Sequence, residues 1–74
     1  MAARTYADII RMAEGDFKKS PPRVDDKSTD WLRTQIDAIG TSLKGPGWNA
    51  YERLMLDHER KAYREEIARR ESQP

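Results

Sequence analysis

The chain predicts an all-α fold, an antiparallel helical hairpin with a shorter N-terminal helix packed across it. Three observations carry that expectation. Apolar residues recur at helical spacing in Tyr6, Ile9, Ile10, Ala13 and Phe17, again in Leu32, Ile36, Ile39 and Leu43, and again in Tyr51, Leu54, Met55, His58 and Ala62. A helix turns about 100° per residue, so each set falls on one face. Residues that start and stop helices bracket each set. Finally, the last two sets are joined by a short glycine-bearing connection, which makes their helices antiparallel neighbours.

The first helix is expected over 5–17. The Thr5 hydroxyl can cap its opening turn, and Asp8 follows at capping-box spacing, where a carboxylate also suits the positive helix end. Gly15 costs about 1 kcal/mol relative to alanine inside a helix and suggests fraying near that point.

Residues 18–28 read as a linker. Pro21 and Pro22 lack amide donors, and each biases the residue before it away from helix. The segment passes from basic (Lys18, Lys19, Arg23) to acidic (Asp25, Asp26). A solvated connector is the plain reading. Docking is the functional one, because loops carry more than their share of binding residues.

The second helix is expected over 29–43. It is capped from the Ser28-Thr29-Asp30 cluster and ended by Lys44-Gly45-Pro46-Gly47, with a glycine suited to a left-handed C-terminal cap. The third is expected over 49–70, with Asn49 as N-cap, Glu52 completing a capping box, and 71–74 as a frayed tail. Asp57–Lys61, Glu65–Arg69 and Glu66–Arg70 stand acid-before-base at i,i+4, each pair worth roughly 0.2–0.5 kcal/mol.

The third helix carries a second stripe. Leu56, Tyr63 and Ile67 lie about 140° around the axis from Tyr51 and His58. The first stripe meanwhile runs into Glu65, Glu66 and Arg69. This second face is either the other side of an intramolecular wedge or a seam for another chain. A broad face wedged between the first and second helices is the plainer reading. The length of the helix, expected to outlast its neighbour, motivates the sharper one of self-association or partner binding through its distal half.

Composition bounds the rest. Seventy-four residues make one domain at most, and so small a core seldom supplies more than about 3–5 kcal/mol unaided. Leu, Ile, Val and Phe number eleven, which marks a thin core that gains from a partner. With no cysteine and one histidine, neither a disulfide framework nor a structural zinc site is expected. The net charge is +1, and basic and acidic residues interleave, six of each over 1–30 and five of each over 57–74. That disfavours nucleic acid, whose binders show a basic stripe. No apolar run suits a secretory signal or a membrane span, so the expected location is cytoplasmic.

No constellation calls for catalysis or a cofactor. His58 is flanked by Asp57 and Glu59, but successive helical side chains diverge and cannot converge on one atom. A zinc-protease helix needs a second histidine four residues on, and a di-iron bundle needs glutamate three before, where Met55 stands. His58 is expected as a half-buried residue hydrogen-bonded to a neighbour. Gly45-Pro46-Gly47 lacks the Lys-Ser/Thr of a phosphate loop. An enzyme is not expected.

The tryptophans point elsewhere. Trp31 opens the second helix, and Trp48 precedes the third, where stacking on Arg53 could replace a hydrophobic staple. Trp, Tyr and Arg dominate interface hot spots. The candidate partner-binding residues are therefore Trp48, Leu56, Arg60, Tyr63, Ile67 and Trp31. The expected function is non-catalytic protein–protein interaction, as an adaptor or inhibitor of a larger complex. A host-modulating protein of a phage or mobile element fits that size and composition by analogy. The expected partner is another protein or a second copy in a homodimer. The alternative is a small helix-turn-helix-like nucleic-acid-binding protein, built on the two helices around the glycine-bearing turn. Pro46 in that turn and Asp57 and Glu59 on its second helix count against it.

Overall fold

A computed structural model describes residues 4–73. It consists of three helices: α1 (Tyr6–Lys19), α2 (Thr29–Lys44) and α3 (Ala50–Glu71). Local chemistry explains each start. Thr5 accepts from the Asp8 amide at 3.2 Å, while the Asp8 carboxylate accepts from the Thr5 amide. The Ser28 hydroxyl accepts from the Trp31 amide at 3.0 Å, which selects Ser28 from its cluster as the cap. Asn49 and Glu52 form the expected reciprocal box, at 2.8 and 3.0 Å. Such boxes satisfy amides that the first helical turn leaves unpaired.

The stops need more correction. Gly15 does not end α1, which runs on to Lys19. At the end of α2 the C-cap is Gly45, and its backbone is extended (φ −82°, ψ 160°) rather than left-handed. Pro46 is the cause, because proline keeps its predecessor out of the helical regions. The positive φ falls instead at Gly47, at 101°.

The layering follows from the two faces of α3. α2 and α3 form the antiparallel hairpin, with Thr29 beside Arg70 at one end and Leu43 beside Arg53 at the other. Between those ends lies the core, where Leu32 is fully buried among Ile39, Tyr63 and Ile67, with Val24, Ile36, Leu43 and Leu56 packed around them. α1 packs on the other face of α3. Among the described residues α1 and α2 make no contact with each other. α3 is the middle layer.

The seam expected on the distal half of α3 is therefore corrected. Tyr63 and Ile67 are buried, and Leu56 packs against the same core, all beneath α2 of the same chain. The geometric reason is that α2 covers α3 from Arg53 to Arg70, so α3 has no bare overhang. Of the expected helical charge pairs Glu66–Arg70 forms, at 2.8 Å, whereas the other two shift by a residue. Glu66 takes both Arg69 and Arg70, and Asp57 takes Arg60 in place of Lys61. Both i,i+3 and i,i+4 positions are neighbours on a helix, and the buried carboxylate gathers both arginines.

Candidate functional site

At the open end of the hairpin, the linker takes over the face of α3 that α1 leaves. Pro21, Pro22 and Val24 lie over Ala62, Glu65, Glu66 and Arg69, enclosing a cleft of about 330 Å3 that opens to solvent. Glu66 is only 7% exposed. Its oxygens accept from Arg69 Nε and Nη2 at 3.0 and 2.6 Å and from Arg70 Nε at 2.8 Å. Those hydrogen bonds, Arg69 first and Arg70 second, lower the carboxyl pKa to about 2 against the opposing effect of burial. Arg70 reaches further. It donates to the Val24 carbonyl at 2.9 Å, the Lys27 carbonyl at 2.7 Å and the Thr29 hydroxyl at 3.1 Å. The polar residues that interrupt the first stripe are thus the ties that hold the linker.

Trp31 stands beside this clamp. Its ring meets Tyr63 edge-on at 5.7 Å, and the Lys27 ammonium sits 5.0 Å from its centroid. It keeps 36% of its surface exposed. The buried Tyr63 phenol is raised above its ordinary pKa, chiefly by burial and then by the Glu59 charge. Trp31 is therefore a fixed aromatic plate with one side open.

The turn end is built differently. Trp48 is 37% exposed, but its indole N–H donates to the Ser42 carbonyl at 2.8 Å. Arg53 donates to the Leu43 carbonyl at 3.0 Å and the Gly45 carbonyl at 3.4 Å. The guanidinium thus serves the carbonyls at the end of α2, where the expected stack on Trp48 is replaced by capping. Trp31 and Ser42 are eleven positions apart on α2, so the two tryptophans stand roughly 17 Å apart along the helix axis. They do not form one surface.

On the α1 side, Phe17 stacks on His58 with centroids 5.2 Å apart and planes at 28°. The expected hydrogen bond of His58 gives way to this ring contact. The Tyr51 hydroxyl donates to Asp16 at 2.5 Å. That bond, followed by burial and the Asp16 charge, raises the phenol pKa. Ala13 is fully buried against α3, whereas Ile9, Ile10 and Phe17 are half-buried. Tyr6, on the same face as Ala13, is 60% exposed.

Of the six sequence candidates, Trp31 and Trp48 are at the surface, at opposite ends of the hairpin. Tyr63 and Ile67 are core, and Leu56 lies beside it. Arg60 is half-buried, bonded to Asp57 at 2.8 Å, with Gly40 of α2 close to its guanidinium. The role of Arg70 as a linker tie depends on where the linker lies, which helical spacing does not give. A visible signal was the pair of arginines three and four residues after Glu66, on a face that should otherwise have stayed apolar. Among the described residues no helix is long and apolar enough to cross a membrane. Compared with known protein families, with curated proteins and with solved structures, this chain matches none.

Proposed function

We propose that this protein is a non-catalytic protein–protein interaction module, acting as an adaptor or inhibitor within a larger assembly. The observation that carries the reading is Trp31. A large aromatic ring is held from beneath by Tyr63 and from one side by Lys27, with more than a third of its surface open. An aromatic side chain already fixed in place loses little freedom on binding, which is how such residues become anchors. The hairpin geometry favours this reading over the helix-turn-helix one. α2 and α3 touch at both ends as an antiparallel pair, whereas the DNA-binding motif sets its helices at about 90–120°.

Quantitative affinity capture from the native host lysate tests the proposal, using wild type, Trp31→Ser and an exposed control, Arg64→Ser. A protein retained by wild type and by Arg64→Ser but lost with Trp31→Ser supports it. Capture profiles that are the same for all three, with Trp31→Ser still folded by circular dichroism, refute it.

A further inference from the structure

We infer that the α3 face beneath α1 is an exchange surface, on which the α1 helix of a second copy of this chain can replace the chain's own. This inference stands apart from the Trp31 surface. Three observations carry it.

The first is how α1 is held. Among the described helices it packs on α3 and not on α2, and its interface is thin. Ala13 is the fully buried residue of α1, whereas Tyr51, Leu54, Met55 and His58 on the facing side are all half-buried. The ties across it are the Phe17–His58 stack and the Tyr51–Asp16 hydrogen bond. The α2–α3 hairpin has its own buried core and does not depend on α1 for it.

The second is where the chain can bend. Arg70 fixes the linker from Val24 onward by holding the Val24 and Lys27 carbonyls. That leaves residues 20–23 as the hinge for α1, where Pro21 and Pro22 rest on the open cleft beside Ala62 and Glu65 without a hydrogen bond from Arg70. Prolines keep such a segment stiff and extended, a form that points a helix away from its own body as readily as back onto it. The caps of α1 are local, from Thr5 and Asp8 at one end and from the Ser20 amide to the Asp16 carbonyl at the other. They travel with it.

The third identifies the occupant. The face already fits α1: Tyr51 meets an acceptor at Asp16, and His58 meets an aromatic plane at Phe17. A second copy supplies the same groups at the same spacing, so reciprocal exchange rebuilds every α1–α3 contact. No new surface is required, which is the condition under which domain exchange is a low-cost route to a dimer. The balance between forms is then set by protein concentration.

The test uses the full chain. Equal amounts of 13C-labelled and unlabelled protein are unfolded together, refolded at about 1 mM and analysed by sedimentation and isotope-filtered NOE spectroscopy. The expected result is a species of twice the 8.6 kDa chain mass, with NOEs between Phe17 of one chain and His58 of the other. A protein that stays monomeric at that concentration overturns the inference. So does a dimer in which every Phe17–His58 NOE is within one chain, since another surface would then be responsible.

Discussion

Arg70 donates to Glu66 through Nε and, through its remaining nitrogens, to the backbone of the linker and to Thr29. One buried carboxylate thus orients the guanidinium that joins the end of α3 to the start of α2. With Glu66 lowered to a pKa of about 2 from an ordinary 4.5, the sign of the pH effect is fixed. The unfolded chain binds the proton first as pH falls, so the contribution is complete above about 4.5 and is lost as pH drops toward 2. Thermal melts of wild type should show Tm falling across that window. Glu66→Gln should have a lower Tm at neutral pH and a weaker dependence below 4.5.

Replacing Arg70 with methionine keeps the stem but removes the donors. Its Tm should fall well below that of Arg64→Met, which alters an exposed side chain. Hydrogen exchange should report the loss locally, as faster exchange of the amide of Lys27, which bonds to the Val24 carbonyl.

Leu32 and Leu54 separate the two sides of α3. Leu32→Ala empties a fully buried site and should cost about 2–5 kcal/mol, enough to unfold much of so small a protein. Leu54 is half-buried on the α1 side, so Leu54→Ala should cost about half as much, roughly 1–2.5 kcal/mol. Equal losses in urea melts would contradict this division.

Trp48→Phe tests the cap at the turn. The ring volume is largely kept while the bond to the Ser42 carbonyl is lost, so stability should fall by about 0.5–1.5 kcal/mol. Asn49→Ala, next in the chain, should cost a further 0.5–2 kcal/mol, or about 1, by removing the α3 cap. Urea melts of both variants measure these values.

The Tyr51 phenol provides a spectroscopic handle on α1. Its pKa is raised by donating to Asp16, so the bond stabilises the fold below about pH 10 and is lost as pH rises through the folded value. In Asp16→Asn the Tyr51 midpoint should drop toward 10, read by ultraviolet or NMR titration.

Much of this fold was legible because its signals are local. Thr5 with Asp8, Ser28, and Asn49 with Glu52 act within one turn of chain, and a stripe at 3.6-residue spacing requires no knowledge of neighbours. What stayed hidden depends on which element covers which. Leu56, Tyr63 and Ile67 form a real apolar face, but periodicity does not say whether α2 or another chain lies on it. Glu65, Glu66 and Arg69 read as the end of a buried face, yet they are where the linker lies.

The middle position of α3 has a consequence during synthesis. α1 and α2 do not contact each other, and each finds its tertiary partner only on the helix that follows both. Isolated helices of fourteen and sixteen residues are marginal in water. Until α3 begins to emerge, neither helix has its tertiary partner. Their apolar stripes then remain open, and the core around Leu32 closes only once Tyr63 and Ile67 emerge.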